Sequence, residues 1–265
     1  MIMWIIHEEE QMKRTFSFYI LAIFLISLVT IPGFSFNNKG QKAKSDPEAI
    51  KILDKMIKAQ GGRKILENIT DSRVSGSMEL TQMGMSGSLT MYQKEPNMMR
   101  LDIEIMGMVI TQAFDGTTAW MVNPQTGSTE EMPDQAAEDM ARQALGNDSL
   151  LHPEKYGITY SYKGTEKIDG KDCLVLEQTY SEGHTATIYI DSKTYLTHKS
   201  KTTTVNQMGV EVEAESIMSD YRKVEGIMTA HSLITYQDGE EFMNMTVTEV
   251  KFNTGLEDSL FKMTE

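Results

Sequence analysis

The chain has 265 residues, of which 40% are hydrophobic, 24% charged and 8% aromatic, a balance that fits a folded domain and excludes a disordered, collagen-like or disulfide-framework chain. Asp and Glu number 38 against 25 Lys and Arg, a formal charge of −13 that leaves no basic footprint for nucleic acid. A single cysteine, Cys173, excludes an internal disulfide and a multi-cysteine zinc site, and it reads as a buried small hydrophobe within a strand.

Near the N-terminus, Lys13 and Arg14 precede an apolar run from Phe16 to Val29, and Gly33 and Ser35 follow as small residues at the −3 and −1 positions of a cut. That order of charge, apolar run and small residues predicts an export signal cleaved after Ser35, with Met12 as the natural start. The run is shorter than the ~20 residues of a membrane span. With no cysteine beside the cut, the mature protein is expected in the periplasm, soluble and not lipidated.

Residues 36–45 read as a flexible leader. Ser45-Asp46-Pro47-Glu48 then opens a helix, with Ser45 or Asp46 as cap, Pro47 in the first turn and Glu48 closing a capping box with Ser45. Ile50, Leu53, Met56 and Ile57 share a face, and Gly61-Gly62 stops the helix. A short helical turn with Ile65, Leu66 and Ile69 follows.

After Thr70 the period becomes two. Val74, Gly76, Met78 and Leu80 alternate with polar neighbours, as do Gly87, Leu89 and Met91, and Met99, Leu101, Ile103 and Ile105. Met83-Gly84, Glu95-Pro96-Asn97, Met106-Gly107 and Asp115-Gly116 mark turns, and a strand over 117–123 ends at Pro124-Gln125-Thr126-Gly127. Residues 128–155 break the pattern: Asp134 to Leu145 is alanine-rich and helical in composition, and a loop with Asn147, Pro153 and Gly157 follows. Strands then resume near 158–167, 171–180, 185–191, 194–204, 209–221, 227–237 and 241–252, punctuated by turns such as Asp169-Gly170, Met208-Gly209 and Asp238-Gly239. Hairpins without crossover helices make one antiparallel sheet, and a sheet of that size must curl, close or be covered.

No recognised catalytic pattern occurs. None of the five histidines forms an HExxH motif, the nearest approach to a nucleophile elbow fails at Ser88, and no phosphate-cradling glycine loop is present. No metal, cofactor or catalytic residue is expected, and His184 reads as exposed in its turn. The 21 methionines are the compositional oddity; eight of them lie between Met78 and Met108. Methionine is unbranched and polarisable, so such a face suits a pliable pocket for acyl chains, or simply fills a large core.

Four segments carry a family resemblance. Asp115 to Pro124 is similar to the "DGxTxWxYNP" strand of the LolA/LolB-like periplasmic lipoprotein carriers, and Tyr92 to Leu101 resembles their preceding "kxPnxxR" hairpin. Ser219 to Ile227 resembles the "sdYrxvdGi" strand pair of the broader outer-membrane lipoprotein-sorting branch, and Phe252 to Phe261 its terminal "vNxxlddslF". The resemblance covers most of residues 46–265. It implies a mainly β (α+β) domain, an incomplete antiparallel β-barrel of about 11 strands whose concave face is covered by helices, with 128–155 as a helical lid.

The implied function is to hold the acyl chains of lipoproteins, or lipid, in an apolar groove between an inner-membrane donor and an outer-membrane acceptor. Alternation and resemblance together assign Met78, Leu80, Leu89, Met91, Met99, Leu101, Ile103 and Trp120 to that groove. Lys94, Glu95, Arg100, Met140 and Leu145 are the candidates for lid and latch. The carriers place an arginine before the hairpin proline to hold the lid; here Glu95 stands there, with Lys94 before it, and Arg100 matches the arginine of the wider branch. A monomer is expected, with no enzymatic activity. The competing expectation is an envelope sensor or adaptor that binds a protein through the acidic 130–139 segment.

Overall fold

A strand that is apolar on alternate residues is stable when one face is covered and the other wet. In the computed structural model, which describes residues 44–123, 126–205 and 211–264, 13 such strands join into one antiparallel sheet. The segment read as an export signal and most of the expected leader (1–43), Pro124-Gln125 and the expected Met208-Gly209 turn lie outside the described residues.

The first half is a meander of β1 (Asp71–Leu80), β2 (Met85–Lys94), β3 (Met98–Ile105), β4 (Met108–Phe114), β5 (Ala119–Val122) and β6 (Thr129–Glu131). The second comprises β7 (Thr159–Ile168), β8 (Lys171–Thr179), β9 (Thr185–Asp191), β10 (Thr197–Val205), β11 (Glu211–Val224), β12 (Ile227–Gln237) and β13 (Glu240–Phe252). The strand order is β6-β5-β4-β3-β2-β1-β13-β12-β11-β10-β9-β8-β7, so the first strand pairs with the last and β6 and β7 are left as edges. The count exceeds the expected 11 or so. One addition, β6, lies inside 128–155, the segment read as a helical lid insertion with its helix from Asp134, where three residues are too few to show a period.

Two helices cover one face of this sheet, here called the inner face. In α1 (Pro47–Gln60) the buried stripe is Ala49, Ile52, Leu53, Met56 and Ile57, and it packs on β7 and β12. The cap is Asp46, whose carboxylate accepts from the Glu48 amide at 2.9 Å. The expected box with Ser45 does not form. The Ser45 hydroxyl accepts from the Tyr160 amide instead, and Glu48 pairs with Lys51, because the chain before α1 lies along the edge of β7. A single turn, α2 (Arg63–Leu66), buries Leu66 and leaves Ile65 partly exposed. Between β6 and β7 run α3 (Asp134–Gln143) and α4 (Asn147–Leu151). Helix α3 packs on β4 and β5, where Met132, Ala136, Met140 and Ala144 meet Met99, Phe114 and Ala119.

The methionine-rich end of the inner face carries no helix. There Met78, Leu80, Leu89, Leu101, Ile103, Ile105 and Ile110 pack against Met243, Met245 and Val247, each at most 9% exposed. This end of the curved sheet fills itself with side chains.

On the outer face the C-terminal segment lies as a strap. Asp71 accepts from the Thr254 and Gly255 amides, Lys94 donates to the Leu256 carbonyl and to Asp258, Arg100 donates to the Leu260 carbonyl, and Trp120 Nε1 donates to the Phe261 carbonyl at 2.7 Å. Phe261 is 0% exposed. Phe261→Ala should lower stability by about 3–5 kcal/mol, the usual cost of emptying a buried aromatic site, measured by urea unfolding. A loss under about 1 kcal/mol would mean that the strap is not part of the cooperative fold.

Candidate functional site

Residues directly opposite in an antiparallel ladder share a face, so register decides which side chains meet. Val74, Met91, Leu101 and Gln112 form one such row, Gly76, Leu89, Ile103 and Ile110 the next, and Ser72, Gln93, Met99 and Phe114 a third. All lie on the inner face. Arg73, Tyr92, Arg100, Ala113 and Trp120 form a row on the opposite face.

Trp120 is therefore not a groove residue: it stands opposite Ala113 and packs beneath the C-terminal strap. The other seven groove candidates are on the inner face but serve different places. Met78, Leu80, Leu89, Leu101 and Ile103 belong to the self-packed end, Met99 lies under α3, and Met91 alone reaches open space.

That space is a cavity of about 510 Å³ between sheet and helices. Met56 and Gln60 of α1 with Leu66 and Ile69 form one wall; Val74, Met91, Ile188, Val250 and Phe252 form the sheet wall. Leu145, Gly146, Asn147 and Ser149 close it from the α3–α4 side. Gln93, Gln178, Tyr160 and Thr229 add polar atoms. A second cavity of about 250 Å³ adjoins it, sharing Leu66, Ile69, Glu95 and Asn147 as walls.

Glu95 stands between the two cavities and fixes the α3–α4 segment. Its carboxylate accepts from the backbone amides of Asn147 at 2.7 Å and Asp148 at 3.4 Å, the first turn of α4. Gly146 makes this approach feasible, since a Cβ there would lie 2.3 Å from the Glu95 carboxylate. Gln93 adds a bond to the Ala144 carbonyl at 2.6 Å. Burial pushes the Glu95 carboxyl up, and the two amide bonds only partly offset it. Glu95 thus fastens the α3–α4 segment by accepting from the backbone amides at the start of α4. Lys94 and Arg100 take no part in this, because their side chains point to the outer face and hold the strap. Of the remaining lid candidates, Met140 is buried against β5 and Leu145 lines the cavity.

A second fastening joins the two halves of the sheet. Arg142 of α3 pairs with Asp139 and, at 2.8 Å, with Glu182 in the turn after β8. Asp139 was expected on an exposed acidic surface; it is 2% exposed, and one carboxylate oxygen has no hydrogen-bond partner. Burial pushes its carboxyl up to about 7 in spite of Arg142. His184, expected to be exposed, is half-buried, bonds to Thr202 and packs beside Tyr180. Sequence reasoning missed Asp139, Arg142 and Glu182; the i, i+3 spacing of the first two was visible, but their burial was not. Among the described residues no cluster of His, Cys, Asp and Glu suits a metal, and no helix is long and apolar enough to cross a membrane.

A family model described only as "uncharacterized protein" matches residues 105–265, more than half of the chain. No curated protein matches the sequence. Three solved structures share the fold. A domain described as outer membrane lipoprotein-sorting, from Vibrio parahaemolyticus, has 15% identity and a TM-score of 0.55 over 81% of this chain and 96% of its own. A DUF1329 family protein from Desulfovibrio piger has 17% identity and a TM-score of 0.56, covering 82% and 98%. A LolA superfamily protein from Nitrosomonas europaea has 13% identity and a TM-score of 0.53, covering 81% and 97%. The open antiparallel sheet of this chain is therefore the fold that these three structures share.

A carboxyl whose pKa rises on folding holds its proton more tightly in the native chain. Between its ordinary value of 3.8 and about 7, Asp139 therefore adds stability as pH falls and loses it as pH rises. Asp139→Asn should flatten the decline in Tm across that window; a slope equal to that of the parent protein would place the titration on another group.

Proposed function

The chain belongs to the family matched over residues 105–265, and we propose that it is a periplasmic carrier whose inner-face cavity holds the acyl chains of lipoproteins or lipids. One observation carries this reading: a sheet with the lipoprotein-sorting fold keeps about 510 Å³ of space under its helices, within the ~300–1,000 Å³ of small-molecule sites. Each buried CH₂ contributes about 0.8 kcal/mol, so a chain that leaves water for this space is held without any covalent step. The self-packed methionine end is the floor, Met91 and its neighbours the wall, and α3–α4 the lid. Loading a larger anchor requires the lid to swing away, which breaks the Glu95 cap and the Arg142–Glu182 pair.

In this reading the export signal is removed after Ser35 and the mature monomer shuttles from an inner-membrane donor to an outer-membrane acceptor, with no catalytic step of its own. The adaptor alternative uses the same scaffold to bind a protein.

The test uses the mature chain, delipidated and mixed with membrane vesicles that carry a labelled acylated protein. A soluble one-to-one complex is expected. Met91→Glu should reduce its yield by at least about tenfold, because a carboxylate must be desolvated wherever the chain lies against it. Absence of any soluble complex would refute the carrier reading, and a complex formed equally well with the unacylated protein would replace it with the adaptor.

A further inference from the structure

The polar lining of the cavity has a marked sign. Among the described residues that line it there is no Lys, Arg or His, while the Glu95 carboxylate is present. That carboxylate is already committed to the amides of Asn147 and Asp148, and Asp71, also in the wall, turns its own carboxylate to the strap on the outer face. The other polar groups are neutral: four carboxamides, from Gln60, Gln93, Asn147 and Gln178, and several hydroxyls. One of these, Thr229 Oγ, is buried and has no hydrogen-bond partner. A head group that stops at the adjoining smaller cavity meets Glu67, Glu95 and Asp148, again without a cation in the lining. Asp148 is itself paired with Lys155.

An anionic head brought here loses its hydration and finds no cation in the lining to replace it, only the Glu95 carboxylate. An ester or amide carbonyl carries no such penalty. It can accept from a carboxamide N–H or from the Thr229 hydroxyl, and its N–H, where present, can donate to a carboxamide oxygen. Carboxamides offer both donors and acceptors at fixed places, which suits a neutral linkage of either kind.

We propose that the cavity takes acyl chains joined through an ester or amide to an uncharged head, and rejects free fatty-acid anions and anionic phospholipids. This rests on the acyl-carrier reading and narrows it to a ligand class.

The experiment is equilibrium binding to the delipidated mature chain at about pH 8, below micelle concentrations, with four probes of equal chain length: monopalmitoylglycerol, a dipalmitoylated neutral lipopeptide, palmitate and lysophosphatidylglycerol. Either neutral probe should bind at least about tenfold more tightly than both anions, and which neutral probe is preferred identifies lipid or lipoprotein as the source. Gln178→Lys should raise palmitate affinity by about fivefold or more by supplying the missing cation. Thr229→Val should weaken the neutral probes by about threefold without affecting palmitate. Palmitate or lysophosphatidylglycerol binding as tightly as the neutral probes would overturn the selectivity and leave the acyl-carrier reading standing. No binding of any probe would overturn both.

Discussion

The pairing of β1 with β13 is the constraint on which the rest of the molecule depends. Val74 faces Val250, Met78 faces Met245 and Leu80 faces Met243, so the start and the end of the domain are zipped side by side. The seam carries a bulge between Ser75 and Gly76, and Gly76 is needed there because a Cβ would lie 2.5 Å from the Thr246 carbonyl oxygen. Once that seam forms, the two meanders extend in opposite directions from it. The edges β6 and β7 end far apart in strand order, and the chain between them must cross the inner face. The position of the α3–α4 segment thus follows from the seam. Such contacts join residues distant in sequence, so closing the seam costs more chain entropy than forming any one hairpin.

Two faces of the sheet use polar groups for different ends. Outside, Asp71, Lys94, Arg100 and Trp120 grip one continuous strap over residues 254–261, so the seam is braced along the side away from the helices. Inside, fastening is sparse. The α3–α4 segment is tied by a carboxylate at a helix start and by one arginine that spans the two halves. Removing a partner from a buried ion pair costs more than the pair contributes, so Asp139 and Arg142 tend to keep or lose their places together. The apolar contacts of α3 are made by small residues and methionine, which give up less buried surface on separation than leucine or phenylalanine would. A cover held in this way suits a site that must both retain and release an apolar ligand.

Much of this was legible in the sequence. Period-two alternation gave the strands of the second half to within a few residues, and the motif of Asp115 to Pro124, with three others in order, pointed to the fold. The inner-face rows through Met91, Met99, Leu101 and Ile103 also followed from alternation. Trp120 did not: β5 is four residues long and apolar on both sides, so only its pairing with β4 shows which way the ring points. Lys94 and Arg100 read as cations near a lid because their strap partners lie about 160 residues away in sequence. Nor can alternation tell a row that lines open space from one that fills itself; the curvature that buries Met78 and Leu80 is a property of all the strands together. The α4 turn was read as loop because five residues carry too little pattern, and with it went the role of Glu95.

The central claim is that the inner-face cavity is occupied by acyl chains during the working life of the protein. The most direct measurement is native mass spectrometry on the protein isolated from its own cells, without detergent or added lipid. A discrete mass excess that disappears on organic extraction and matches an acylated molecule is the predicted result. A bare polypeptide mass that also stays bare after exposure to lipid would contradict the account.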